Sequence, residues 1–200
     1  MTAGMYKEEI TQDKVNKIRR MKAMEIKTFD ISYLQETKTA LKSAFFHENS
    51  NEVFNEWEFA GTVLKSDGYI PDLCVIAVEG KTVIGYNALT KARIGNHFGL
   101  ALGPLGVWKE YQNTGTGSAL VKECIRRATE EGYQWIALLG GDYYSRFGFE
   151  KGGDYGITVS DNEFENDHLQ ILFLDTSVRD KVSGKLAYCD AFYDADGNLI

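Results

Sequence analysis

Between residues 103 and 120 an apolar run, Gly-Pro-Leu-Gly-Val-Trp, passes through Lys-Glu-Tyr-Gln-Asn-Thr-Gly-Thr-Gly directly into Ser-Ala-Leu and an amphipathic repeat. A strand that enters a helix through a glycine-broken loop leaves the first-turn amides of that helix without internal partners, and the peptide dipoles add partial positive charge there. An anion fits such an end. Gly115 and Gly117 carry no side chain to hold a ligand off the backbone and tolerate the dihedrals that converging amides need. Gln112 and Thr114 can add side-chain contacts. Downstream, Leu120, Val121, Cys124, Ile125 and Ala128 share one helical stripe, while Lys122, Glu123, Arg126, Arg127, Glu130 and Glu131 take the other. The helix therefore packs by one face, with its N-terminus aimed outward.

Two glycines alone also serve plain turn geometry, so the loop has to be read with its neighbours. No Gly-Lys-Ser/Thr follows it, and the third glycine of a dinucleotide fingerprint is missing, which weakens the usual nucleotide-binding readings. After the strand-like run Tyr133–Leu139 comes Asp142-Tyr143-Tyr144-Ser145-Arg146-Phe147-Gly148-Phe149. Its aromatic residues have two readings: a cluster that closes the core, or a tyrosine held where its phenol can give up a proton.

The 200 residues are 44% apolar with a formal charge of −7. That length and composition can bury a substantial core as one domain over 24–200, preceded by a polar extension over 1–23. The acidic balance argues against general nucleic-acid binding and fits a cationic small substrate better. No stretch approaches the roughly 20 apolar residues of a membrane span, and the first twenty residues lack a signal-peptide core. A cytoplasmic protein is the expectation. Cys74, Cys124 and Cys189 sit in apolar patterns without metal-ligand spacing, so buried free thiols and no metal site are expected, with a nucleophilic Cys124 disfavoured on its packed stripe.

Along the chain, Met24–Phe29 reads as a strand, and Asp30 as the cap of a helix with the apolar face Leu34, Thr37, Leu41, Ala44 and Phe45. Residues 51–64 carry a second helical pattern. Leu73–Val78 and Thr82–Thr90 read as strands of a hairpin turning at Glu79-Gly80-Lys81. Phe98–Val107 is a long strand in which Pro104 has no amide proton to donate, so the ladder must bulge or end there. Further strands are expected at Tyr155–Val159 and His168–Leu174, with an edge element over Leu186–Tyr193. The order of elements predicts an α+β fold built on a mixed sheet.

Gln112-Asn113-Thr114-Gly115-Thr116-Gly117 resembles the Gln/Arg-x-x-Gly-x-Gly/Ala signature of the GNAT superfamily of acyl-CoA-dependent N-acetyltransferases, and the block from Tyr144 to Phe149 resembles its Tyr-x-x-x-Gly-Phe segment. Leu102–Leu105, Tyr143–Phe149 and the late stretch from Ser183 to Phe192 are similar to the predicted acetyltransferases called YhbS-like. The resemblance covers about residues 24–175 in layout and implies a GNAT fold with a splayed central strand pair.

It further implies acetyl-CoA as cosubstrate, with Gln112, Asn113, Thr114, Gly115, Thr116, Gly117 and Ser118 at the pyrophosphate. The backbone of Leu105, Gly106 and Val107 would hold the acyl-pantetheine and polarise its carbonyl. Tyr144 would be the acid that protonates the departing thiolate. Dimerisation is common in the superfamily, so a homodimer is a further expectation.

The base is the gap. Phe98–Leu102 offers no carboxylate, which departs from the pattern of some members. His97 titrates near neutral pH when unperturbed and enters as a catalytic candidate, with Glu56, Glu58, Asp72 or a water chain as substitutes. His47 and His168 have no pattern to recommend them. Acidic residues of the segment 47–72 would select a cationic acceptor. The expected reaction is acetyl transfer to a primary amine, of a small molecule or a peptide, in a ternary complex. A non-catalytic acyl-CoA sensor and a nucleotide-binding protein are the other readings.

Overall fold

The computed structural model describes residues 24–45, 56–161, 163–197 and 199. The extension over 1–23, His47 and the first part of the helical pattern at 51–64 lie outside them. Strand β1 (Met24–Thr28) is followed by a 3-10 turn and helix α1 (Leu34–Phe45), then α2 (Glu56–Val63), β2 (Cys74–Glu79), β3 (Thr82–Ile94) and β4 (His97–Val107). Helix α3 (Thr116–Glu130) leads to β5 (Trp135–Leu139), a 3-10 turn (Asp142–Phe147) and β6 (Glu150–Lys151). The chain ends through β7 (Ile157–Thr158), α4 (Glu163–Asp167), β8 (Leu169–Phe173) and β9 (Gly184–Ala187).

The sheet runs β1-β2-β3-β4-β5-β8-β6, with β9 paired to the far end of β3 and β7 paired to β9. Its neighbours along the main path are antiparallel except β4 and β5, which are parallel. Alternation of side chains explains how both faces are covered. Cys74, Ile76 and Val78 pack toward α1 and α2 with Leu41, Phe59, Ala60 and Val63. Val75 and Ala77, one residue out of phase, pack with Leu120, Val121, Cys124 and Ala128 of α3. The expected α3 stripe thus meets the sheet, and Ile125 packs at its margin. On the other helical face Arg126 pairs with Glu123 at 2.7 Å and Glu130 at 2.5 Å.

Asp30 caps as expected: its carboxylate accepts from the Ser32 amide at 2.9 Å, starting a 3-10 turn over Ile31–Tyr33 that runs on into α1. In α1 itself Thr37, Ala40 and Leu41 are the buried residues, so Ala40 takes the place expected for Ala44. The hairpin closes with Glu79 opposite Thr82 across Gly80 and Lys81. Two late elements are shorter than the sequence predicts. A 3-10 turn over Gly152–Tyr155, ended by Gly156 in the left-handed region, leaves β7 only Ile157 and Thr158. A second 3-10 turn over Asp190–Phe192, with the Tyr188 amide donating to Tyr193 Oη at 3.1 Å, ends the C-terminal edge after β9. Cys74, Cys124 and Cys189 are buried free thiols. Among the described residues no helix is long and apolar enough to cross a membrane.

Candidate active site

The site forms where β4 leaves its neighbour. β4 pairs with β5 only through Leu100–Ile136 and Ala101–Ala137, although β5 continues to Leu139. Between β3 and β4 the register passes from Leu89–Leu102 to Asn87–Leu105, so β4 spends one more residue than β3 over the same step. The extra residue falls at Gly103-Pro104, where proline has no amide to place in a ladder. Beyond this bulge the β5-facing edge of β4 is open, and the central pair is splayed as the resemblance predicts.

Hydrogen-bond phase decides which backbone groups face that opening. The Trp108 amide donates to Ile84 O at 2.9 Å, and alternate residues of an antiparallel strand face the same neighbour. Gly106 therefore turns its polar groups toward β3, while Leu105 and Val107 turn theirs to the open side. Gly106 has a packing reason instead: a Cβ there would lie 2.5 Å from Leu41 Cδ2 and 3.1 Å from Phe45 Cε2.

At the wide end of the opening lies a groove of about 580 Å³, lined by Leu105, Val107, Gln112–Gly115, Gly117, Ser118, Tyr143 and Arg146. Gly115 caps α3 at φ 97° and offers no side chain to the first-turn amides. They face the groove with the dipole of a 15-residue helix behind them. The loop is stiffened from within. Thr114 Oγ1 donates to Tyr111 O at 2.5 Å and lies 2.9 Å from Thr116 Oγ1. Gln112 Nε2 donates to Val107 O at 3.1 Å. Gln112 is thus tied to the strand end, and Thr116 is buried.

Tyr143 and Tyr144 sit back to back at the end of β5, their rings edge to face at 5.2 Å. Tyr143 faces the groove, with its Oη 3.2 Å from Ser118 Oγ. Arg146, which sequence reasoning passed over, lays its guanidinium 4.7 Å from the centre of the Tyr143 ring and lines the same groove. Its position one turn past Tyr143 was the only sequence signal. A fixed cation beside an uncapped helix N-terminus suits a polyanionic phosphate ester.

Tyr144 faces the other way, into a cavity of about 280 Å³ lined by Phe45, Phe59, Leu102–Leu105, Leu139, Tyr188, Phe192 and Leu199. Burial raises its pKa to about 12, with a smaller contribution from Tyr143, so the phenol is protonated at neutral pH. Buried Gln170, also unnoticed in the sequence, donates from Nε2 to Gly140 O at 2.7 Å and Gly141 O at 2.9 Å, fixing the loop that launches Tyr144. Leu105 lines both groove and cavity, so the two spaces meet at the bulge.

The candidate bases are elsewhere. His97 opens β4 opposite Ile94, seven residues from Pro104, which at ~3.3 Å per residue is about 23 Å, and it lines neither space. Glu58 is paired with Lys38 at 2.6 Å. Asp72 lies beside the C-terminal end of α3, where its carbonyl accepts from Arg127 at 2.8 Å. Among the described residues no acid lines the cavity, and Glu48, Glu52 and the Glu56 side chain of the segment expected to select a cation lie outside those described. Burial pushes the Cys124 thiol pKa up, and Asn87 Nδ2 donates to its sulfur at 3.3 Å, a packed thiol rather than a nucleophile.

A β4/β5 pair that parts beside a loop-to-helix turn fits the fold that the GNAT resemblance implies. Residues 71–151 match the family model described as acetyltransferase (GNAT) domain. Among solved structures it is similar to a GNAT family N-acetyltransferase, YhbS, from Escherichia coli in complex with CoA, with 20% identity, 88% of this chain and 94% of that one covered, and a TM-score of 0.76. It is similar to a GNAT family acetyltransferase from Brucella melitensis in complex with acetyl-CoA at 24% identity, 84% and 97% coverage, and TM-score 0.67. A GNAT family acetyltransferase from Staphylococcus aureus Mu50 matches at 23% identity, 76% and 100% coverage, and TM-score 0.57. None of the curated proteins matches.

Proposed function

We propose that the protein is an acetyl-CoA-dependent N-acetyltransferase that passes the acetyl group directly to a primary amine. The observation that carries this reading is the meeting of groove and cavity at Leu105, with an uncapped helix N-terminus on one side and a protonated, partly buried tyrosine on the other. The CoA and acetyl-CoA bound to the two relatives support the choice of donor.

In this reading the first turn of α3 and Arg146 hold the pyrophosphate, and the outward-facing backbone of Leu105 and Val107 holds the pantetheine as an added strand. An amide N–H of that edge polarises the thioester carbonyl. The amine nitrogen attacks the carbonyl carbon, the C–S bond breaks, and the sulfur takes the Tyr144 proton. The amine gives its proton to water, and Tyr144 regains one from water, so no side-chain base is required. An amine that arrives neutral suits a cavity whose described lining carries no carboxylate.

The lack of a carboxylate on Phe98–Leu102 favours a second reading, an acyl-CoA-binding sensor without turnover. Thiol release from acetyl-CoA over a panel of amines separates the two. Saturable, amine-dependent release is expected; tight CoA binding with no release on any amine would leave the sensor.

A further inference from the structure

The cavity behind Tyr144 holds more information than the reaction class. Five of its lining residues are aromatic: Phe45, Phe59, Tyr144, Tyr188 and Phe192. Three form a continuous stack, with Phe59 edge-on to Phe192 at 4.8 Å and Tyr188 nearly parallel to Phe192 at 4.5 Å. Ring pairs of both kinds are favourable beyond the area they bury. The remaining lining is Leu102, Gly103, Pro104, Leu105, Leu139 and Leu199. Its volume of about 280 Å³ is at the small end for ligand sites.

We infer that this cavity is the acceptor site and that it takes an arylalkylamine: one aromatic ring on a short chain ending in a primary amine. The inference rests on the acetyltransferase reading. The ring would extend the Phe59–Phe192–Tyr188 stack, and the chain would bring the nitrogen past Tyr144 to the bulge at Pro104 and Leu105, where the cavity meets the donor groove. A polyamine or a lysine-rich peptide is disfavoured by the same walls. Each further ammonium would lose water without gaining a counter-ion from the described lining residues, none of which is charged. Apolar walls discriminate by buried surface, and the loss of a whole ring is worth at least roughly tenfold.

The test compares phenethylamine, spermidine and a lysine-containing peptide as acceptors for acetyl-CoA, with octanoyl-CoA as a second donor. Phenethylamine is expected to show a kcat/KM at least about tenfold above the other two. Phe192→Ala should raise its KM by about tenfold while leaving the Kd for CoA unchanged. Because Phe192→Ala also removes packing, Leu199→Asp is the companion variant: it places a carboxylate near the chain end at the cavity wall and should move preference toward spermidine. A wild-type preference for spermidine or the peptide overturns the arylalkylamine and leaves acetyl transfer standing. Preference for the octanoyl donor, altered by Phe192→Ala, makes the cavity an acyl pocket and overturns the inference too. No transfer to any amine despite CoA binding overturns the acetyltransferase reading, and the inference with it.

Discussion

Tyr143 Oη lies 3.2 Å from Ser118 Oγ, and this contact joins the aromatic turn after β5 to the first turn of α3. Two segments 25 residues apart in sequence thus form opposite walls of one groove. Tyr143→Phe removes the hydroxyl and keeps the ring that supports Arg146. The expected cost is about 1 kcal/mol of stability, the net worth of one such hydrogen bond, read as a lower denaturation midpoint. A several-fold weaker Kd for CoA by calorimetry should accompany it.

Tyr144 has the opposite signature. Tyr144→Phe keeps the ring and its packing but removes the proton donor, so kcat is expected to fall by roughly 10²-fold or more while the CoA Kd stays within about twofold. Unchanged turnover would end its role as the acid. Its titration makes a second, independent prediction. Burial raises its pKa from 10.0 to about 12, so the neutral form is favoured in the folded state. The associated stability is complete below pH 10 and is lost as pH rises from there through about 12, a change of order 2–3 kcal/mol. Urea unfolding at pH 8 and pH 11 should show a larger loss for the wild type than for Tyr144→Phe, because the difference between the two proteins removes the contribution of the other tyrosines.

Gly117 faces the groove at the second residue of α3. A Cβ there would lie 3.0 Å from Tyr143 Oη and 3.5 Å from Val107 Cγ2, so any side chain grows into the space assigned to phosphate. Gly117→Leu is expected to weaken CoA binding by at least about tenfold with little net change in fold stability, since the better helix propensity of leucine, most of a kcal/mol, offsets the displacement of Tyr143 Oη. Retained affinity would remove the loop from the donor site.

Much of this arrangement was legible in the residues because it depends on local chemistry. Pro104 cannot donate to a ladder, and the bulge falls there; Gly115 and Gly117 leave a helix end bare, and the groove forms around it. The parts that were not legible depend on register and distance. Nothing in Leu105-Gly106-Val107 says which of the three faces the opening; the Trp108–Ile84 hydrogen bond decides it, and turns Gly106 inward. His97 looked available because a strand start is not visibly far from a bulge seven residues on, but an extended chain covers about 23 Å in that span. The aromatic cavity draws Phe45, Phe59, Tyr188 and Phe192 from opposite ends of the chain, and no periodicity connects them.

Arg146 should act on the donor through charge alone. It is exposed and stacked on Tyr143, so screening limits its effect. Arg146→Gln is expected to weaken CoA binding several-fold at low salt and by less at 0.5 M NaCl. A wild-type Kd that rises with salt more steeply than that of the variant would mark Arg146 as a phosphate partner; parallel salt dependences would make it merely the support of the Tyr143 ring.

Gln170 is the remaining test of how Tyr144 is held. Its amide nitrogen serves two backbone carbonyls, those of Gly140 and Gly141, from a side chain that is almost fully buried on β8. Gln170→Leu is similar in size and leaves both carbonyls without that donor, at an expected cost of about 1–3 kcal/mol. The loop is then free to let Tyr144 drift from the bulge, and positioning errors of an ångström are expensive in rate. kcat should therefore fall by about 10-fold or more while the Kd for CoA, set at the far side of Tyr143, changes little. Gln170→Glu separates position from packing. Its carboxylate has no N–H when ionised and regains one donor when protonated, so its kcat should rise again as pH is lowered toward the carboxyl range, relative to wild type, and the leucine variant should show no such recovery. Equal pH profiles for the two variants would make Gln170 a packing residue only.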